Sequence, residues 1–514
     1  MIIDGMDDAV DALLVFAKKH KAIYIYGAGN YGILYAKILS HYGIKVCGFI
    51  VTEAISHKDG DCQVYNICDA IHIVTSDDGV IPAFTNSEPS KIKNMFICSS
   101  PDVLAFDHKK MLCIADELFF LPIIDELDKQ HGCQIKKADS VALNRILVIR
   151  IDAIGDLIFI SAFLRELKRS FPKSTIDIVV RESNCSLIEN CPYVEKIYPY
   201  ITGLIDGELS QQCEHYGDIR SKVERFAAAN FSENHYDAVF LPRELLCGRN
   251  MLDDLLLAYY SGAKFRFGQM IVNDTHERYL FERMQNSFTL IAVNDKPCHQ
   301  VQCSLKILCE MGLEVKDEKM ELWPSEDDKG KAKEALSFYG NYKLIALGIM
   351  ATEPKRVWDT QNYIELINEI TRTTDSCCFV IFGGNDAVTM AGSIMDQIND
   401  KERVLNLTDE LSLRDTAAYI SLCSLYVGSN TGLLHFASAM SVPSVTIYSE
   451  LEDGQPMDGD APERMGAWCV PHIDLIPPAG LDDCHGVCRK RYSHCINQIT
   501  PKQVNYAIRS LISV

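Results

Sequence analysis

The chain has 514 residues, 47% of them hydrophobic and 23% charged, and a formal net charge of −20 at pH 7. This is an ordinary soluble composition with room for about three domains of roughly 100 to 200 residues, and the acidic balance excludes a protein that grips nucleic acid by neutralising its phosphates. No apolar run reaches the ~18 residues of a membrane span, and the acidic start MIIDGMDDAVDALL has neither the basic region nor the cleavage site of a signal peptide, so a cytoplasmic location is expected. The 20 cysteines fit that location as reduced thiols, since most stand singly in apolar segments, as Cys98, Cys113, Cys377, Cys378 and Cys423 do.

An amphipathic helix over residues 9–18 leads into an apolar strand at 22–26, then Gly27-x-Gly29-x-x-Gly32, a helix to Tyr42 and a second apolar strand at 46–51. Glycines between a strand and a helix permit a tight turn and bring a phosphate close to the helix N-terminus. Glu53 follows Gly32 by about the 20 residues that place an acid on a ribose hydroxyl. The pattern predicts a small Rossmann-like α/β domain and makes Gly27, Gly29, Gly32 and Glu53 a candidate nucleotide site; glycines kept only for packing would give the same pattern. MFICSS at 95–100 reads as a later strand of the same sheet. Polar DKQHGCQIKKADS closes the unit, giving a first domain over 1–136.

The next stretch, NRILVIRIDAIGDLIFISAFLRELKRSF, organises the rest. An apolar run at 146–151 breaks at Ala-Ile-Gly and passes into apolar residues at helical spacing: Leu157, Phe159, Ile160, Phe163, Leu164 and Leu167. This is a buried parallel strand feeding a helix, with Gly155 at the turn and Asp156 in the first helical turn. Asp156 reads either as a helix N-cap or as an acid facing the crevice where α/β sheets bind ligands. Strands follow at 174–182, within NCPYVEKIYPY and at 236–244, with helices in LDDLLLAYYSGAKFRFG, which Gly262 stops, and at 299–313. The alternation predicts a parallel sheet with right-handed crossovers. A second such unit begins near Tyr342, with strands at 343–350 and 377–386 and a strand, turn, helix and strand over 425–449. Domains over 137–335 and 336–514 follow, with a ligand bridging the cleft between them.

In order, ILVIRIDAIGD, FPKSTIDIVVRESNCSLIENCPYVEKIYPY, the P-K-x-x-W segment, FGGND and VGSNTGLLHFASAMSVPSVTIYS resemble the heptosyltransferases of glycosyltransferase family 9, from Asn144 to the end of the chain. The resemblance implies an α/β GT-B fold, two facing Rossmann-like domains, here preceded by the small extra domain. It also implies an ADP-activated heptose donor, transfer with inversion, and chemistry that needs no cofactor. Asp156 matches the family's general base, which takes the proton of the acceptor hydroxyl. Lys355, with Arg356 beside it and Trp358 after it, matches the basic residue that neutralises the departing nucleoside diphosphate. A solvated surface lysine is the plainer reading.

Thr431, Gly432 and Leu433 open a helix whose N–H groups and dipole suit a diphosphate, with His435 one turn on, either beside the ligand or satisfied in the core. Gly155 completes the donor site from the facing domain, and Gly383, Gly384 and Asp386 end a strand on the same cleft, with Asp386 available to a ribose hydroxyl. The chain departs from the family at Asn430, where many members have Asp; loss of that charge bears on donor preference or turnover. The acceptor is a glycan, glycolipid or protein hydroxyl, and a glycolipid would bring the protein to a membrane surface as a peripheral contact.

Near the C-terminus, Cys469, Cys484, Cys488 and Cys495 are spaced C-x14-C-x3-C-x6-C. Four thiols in an irregular segment suit structural zinc or iron, and the cluster is similar to one that holds iron in the autotransporter branch of the same family; free thiols in a tail are the alternative. Two other functions stay open: a nucleotide-sugar sensor or assembly subunit without turnover, and an oxidoreductase in the first domain carrying NAD, against which the lack of a placed Tyr-x-x-x-Lys pair counts.

Overall fold

A computed structural model describes residues 6–27, 30–51, 63–83, 89–96, 101–104, 108–131, 143–201, 216–231, 235–244, 252–455, 460–482, 484–488 and 490–512. Within them the chain builds three sheets, all parallel and in chain order. The first holds β1 (Ile23–Tyr26), β2 (Val46–Val51), β3 (Val64–Asn66), β4 (Gly79–Pro82) and β5 (Asp102–Val103), in the order β3-β2-β1-β4-β5. The second holds β6 (Arg145–Arg150), β7 (Thr175–Arg181), β8 (Lys196–Tyr200), β9 (Ala238–Glu244), β10 (Phe265–Ile271) and β11 (Leu290–Asn294), in the order β11-β10-β9-β6-β7-β8. The third holds β12 (Lys343–Gly348), β13 (Cys377–Phe382), β14 (Val404–Asn406), β15 (Leu425–Ser429), β16 (Ser444–Ile447) and β17 (His472–Leu475), in the order β14-β13-β12-β15-β16-β17. The last two are the facing lobes of a GT-B fold.

Near-continuous apolar strands such as Ile146 to Ile149 and Phe379 to Phe382, all buried, are what a sheet covered by helices on both faces requires. The chain order reverses between β6 and β9 in the second sheet and between β12 and β15 in the third. Ligands of doubly wound sheets lodge at such switch points. The Gly432–Ala439 helix leaves β15 and the Ile154–Phe159 helix follows β6, so the two meet at facing switch points.

Two departures concern the first unit. Met95 ends the Pro89–Met95 helix, while residues 97–100 of the strand expected at 95–100 lie outside the described residues; a strand beside β1 is Gly79–Pro82, a short GVIP run that a search for longer apolar stretches passes over. The Leu121–Gln130 helix packs into the core of the second sheet through Phe120, Leu121, Ile124 and Leu127. Asp128 accepts from Tyr259 Oη at 2.6 Å, and Glu126 pairs with Arg220 at 3.0 Å. Among the described residues, no helix is long and apolar enough to cross a membrane.

Candidate active site

Arg150 closes β6 and is 2% exposed. Its guanidinium forms an ion pair with Asp152 Oδ1 and donates to Asp156 Oδ1, each at 2.8 Å, and donates to the Pro242 carbonyl. Arg243, from β9, pairs with Asp152 at 3.3 Å and Asp254 at 2.8 Å. Asp156 is not the N-cap of its helix: that place belongs to Ala153, and Asp156 stands in the first turn, its side chain 26% exposed. Burial, with repulsion from Asp152, raises its carboxyl to about 6 against the pull of Arg150 and Arg243. Burial likewise raises Asp254 to about 7. A carboxylate oriented through one oxygen by arginine, with its proton affinity lifted toward neutrality, is the electrostatic setting of a general base.

Across the cleft, Thr431 caps the Gly432–Ala439 helix with extended backbone, and its buried hydroxyl has no partner among the described residues. The first N–H groups of a helix are unsatisfied by the helix itself and carry its positive dipole end. The two lobes touch here: a Cβ on Gly155 would lie 2.5 Å from His435 Cδ2, and one on Gly432 would lie 3.8 Å from Ile154. His435 is 5% exposed, its ring 4.4 Å from that of Phe159 and its Nδ1 without a partner among the described residues. Burial, with His299 nearby, lowers its pKa to about 3, so the imidazole is neutral. Lys355 and Arg356 sit in the turn after β12, with Lys355 Nζ 3.0 Å from Glu353 and Arg356 bound to Glu353 and Asp460. Ser429 Oγ donates to the Arg356 carbonyl, holding this turn against the end of β15. Asn430 is buried and donates to the Asp460 carbonyl at 3.3 Å. Gly383, Gly384 and exposed Asp386 follow β13. The three loops therefore form a row along the carboxyl ends of β13, β12 and β15.

Trp358 corrects the sequence reading. Its indole is fully buried and its N–H donates to the Ile499 carbonyl at 2.8 Å, so it anchors the basic turn from below instead of lining the cleft. Cys469 is a second correction: it is exposed at φ 55°, and the fourth member of the thiol cluster is His494. The ligand atoms of Cys484, Cys488, His494 and Cys495 lie within 4.8 Å of one another. His494 Nδ1 is 3.2 Å from Cys495 Sγ, 3.8 Å from Cys488 Sγ and 3.9 Å from Cys484 Sγ, while its Nε2 meets Asp482 at 3.2 Å. Ligand separations of about 3.5–3.8 Å are those of a tetrahedral thiolate–imidazole ion, and a carboxylate behind the imidazole is its usual support. The cluster could hold a metal.

Sequence reasoning overlooks the groups that set this chemistry: Arg150, Asp152, Arg243 and Asp254. Charges interrupting an apolar strand end, as in VIRIDAIGD, are the available signal. It also overlooks the bonds between the lobes, where Glu244 Oε1 accepts from Arg464 at 2.5 Å while held within its own lobe by Gln300 at 2.5 Å, and His299 Nε2 meets the Gly466 carbonyl at 3.0 Å while stacking on Trp468. In the first unit, Gly27 has φ 113° and a Cβ on Gly32 would lie 2.0 Å from the Gly27 carbonyl oxygen, so both glycines are required by the turn itself. Gly29 and Glu53 lie outside the described residues.

Residues 261–455 match the family model of glycosyltransferase family 9 (heptosyltransferase). The chain carries a heptosyltransferase-like domain of glycosyltransferase family 9. The transferase is 22% identical over 354 residues to a putative glycosyltransferase of Haemophilus influenzae, covering 66% of this chain and 91% of that protein. It is 22% identical over 320 residues to lipopolysaccharide heptosyltransferase 2 of Escherichia coli, covering 59% and 82%. Among solved structures it resembles a family 9 glycosyltransferase of Veillonella parvula, with TM-score 0.56 and 18% identity over 74% of this chain and 99% of that one. It also resembles the E. coli ADP-heptose lipopolysaccharide heptosyltransferase II, with TM-score 0.51 and 18% identity over 71% and 98%.

Proposed function

We propose that this transferase moves a heptose-type sugar from an ADP-activated donor to a hydroxyl of a glycan, glycolipid or protein, with inversion at the anomeric carbon. The observation that carries the reading is the abutment of the Ile154–Gly155 turn on Gly432 and His435, which sets a carboxylate beside a helix start suited to phosphate. The diphosphate rests on the N–H groups of Thr431 to Leu433 and the Thr431 hydroxyl. Lys355 and Arg356 exchange Glu353 and Asp460 for its oxygens, and Gly383, Gly384 and Asp386 take the nucleoside side of the row.

The acceptor oxygen attacks the anomeric carbon as Asp156 takes its proton on the carboxyl oxygen that Arg150 leaves free. The bond to the diphosphate breaks on the opposite face, and the two cations take up the growing charge. Neutral His435 neither repels Lys355 nor competes for the proton. The thiol and imidazole groups of Cys484, Cys488, His494 and Cys495 suit a structural zinc or iron ion. The loop they would brace reaches the basic turn through Ser493 Oγ to the Val357 carbonyl and through the Ile499–Trp358 bond.

The test is Asp156→Asn in the full chain. ADP release from ADP-heptose in the presence of an acceptor should fall by roughly 10²–10⁴-fold, with ADP affinity by calorimetry near that of the parent. Equal loss of both would show that Asp156 shapes the binding site instead. The alternative of a sensor without turnover draws on Asn430, whose carboxamide stands where many members carry a charge; a parent protein that binds ADP-heptose and never releases ADP would establish it.

A further inference from the structure

Outside the cleft, the first turn of the Gln300–Glu310 helix joins two thiols. His299 is its N-cap, accepting from the Val301 N–H. Cys298 is therefore the residue before the cap and Cys303 the fourth of the helix, the two positions that chain geometry brings together at a helix start, ordinarily as an apolar pair. Here the pair is sulfur on sulfur, Sγ to Sγ 2.6 Å. Cys303 is fully buried. Cys298 is half-buried and lines an open cavity of about 400 Å³ together with Lys296, Gln302, Lys306 and Cys309.

We infer that Cys298 is a modification site, a thiol that reacts with hydroperoxides entering this cavity, and that Cys303 is the resolving thiol that closes a disulfide with it. The chemistry balances without any group held elsewhere. The Cys298 thiolate attacks the hydroperoxide; its sulfur takes one oxygen and is oxidised to the sulfenic acid, the O–O bond breaks, and the alcohol or water leaves with the proton. Cys303 sulfur then attacks the sulfenic sulfur, the S–O bond breaks, and hydroxide leaves with the Cys303 proton as water. Two thiols and one hydroperoxide give one disulfide, one alcohol or water, and one further water.

The surroundings favour this division of roles. The hydrogen bond shared with Cys303 holds the Cys298 thiol below its ordinary range, helped by Lys306 and Arg464. The same bond, with burial, holds Cys303 well above it. The attacking thiol is thus the accessible, more acidic one, and the protonated partner waits behind it. Cys309 lines the same cavity but has no bonded thiol partner among the described residues, and burial raises its pKa.

The experiment treats the full-length protein with stoichiometric hydrogen peroxide, quenches with an alkylating agent and follows each cysteine by peptide mass spectrometry. Cys298 and Cys303 should lose their thiols together, in a peptide two mass units lighter, roughly tenfold faster than Cys309, and dithiothreitol should restore them. In Cys303→Ser the reaction should stop at the sulfenic acid, captured by a 1,3-diketone; in Cys298→Ser, Cys303 should stay reduced. The parent and both variants are compared by thermal melting so that each is read in the folded state. Oxidation of Cys309 at the rate of Cys298, or of Cys303 at the parent rate in Cys298→Ser, overturns the assignment.

Discussion

A methyl group on Gly155 tests whether the two lobes must meet as closely as they do. In Gly155→Ala the new Cβ would lie 2.5 Å from His435 Cδ2 and 3.2 Å from Nε2. Carbon contacts settle near 3.5–4.0 Å, so about 1 Å of retreat is needed. The ring has little room to give it, being 5% exposed with the Phe159 ring 4.4 Å away. Overpacking of this size costs about 1–3 kcal/mol, whereas Gly to Ala inside a helix gains roughly 0.5–1 kcal/mol by itself. The net effect is a modest loss of stability and a parting of the lobes, and a displacement of about 1 Å at reacting groups can lower turnover by roughly 10²-fold.

The assay is kcat/KM for ADP release beside the melting temperature, in a double-mutant cycle with His435→Ala. With the ring removed, the helix term alone remains, so Gly155→Ala should stabilise the His435→Ala protein. If Gly155→Ala retains parental kcat/KM, or if the two changes add without coupling, the contact between the lobes is not the constraint argued here.

The pH–rate profile of kcat/KM should rise through an inflection near pH 6, because Asp156 must be ionised to accept a proton and its carboxyl sits at about 6; activity unchanged down to pH 4.5 would remove it as the base. Lys355→Ala should weaken ADP binding by roughly 10- to 100-fold in calorimetry, the worth of one charge-assisted bond of about 1.5–3 kcal/mol. Trp358→Phe should lower the melting temperature through loss of the Ile499 bond while changing ADP affinity at 10 °C by less than about threefold, which places the indole in the support and not in the site. Purified protein should carry about one equivalent of zinc or iron by elemental analysis. Asp482→Asn should weaken that ion's hold by roughly 10- to 100-fold against a chelator, and a content far below one equivalent in freshly purified protein would remove the metal site.

Elements with strong periodicity or strong punctuation were legible in the chain. The 46–51 strand was read with the bounds the structure gives it, and Gly262 and Gly312 end their helices with φ of 67° and 82°. GVIP at 79–82 was not, because four residues show neither helical nor strand periodicity until their neighbours bury them. The placing of Thr431 at a helix start and of Gly155 at a turn was legible, because each is fixed by its own stretch of backbone. It was illegible where long side chains converge from distant strands: Arg243 reaches Asp152 from 91 residues away, and Glu244 reaches Arg464 across 220. Trp358 and Cys469 were misassigned for a shared reason, since spacing reports which residues are near in the chain and not which way a ring or thiol turns.

The Leu121–Gln130 helix has a consequence for how this protein can be taken apart. Phe120, Leu121, Ile124 and Leu127 complete the middle lobe's interior, so the leading unit cannot be cut away at its polar connector like a detachable tag. A fragment starting after residue 136 would leave part of the middle lobe's apolar core uncovered and strip Tyr259 of its Asp128 bond, and a fragment ending there would carry an orphaned greasy stripe. The seam that respects the packing lies upstream of this helix.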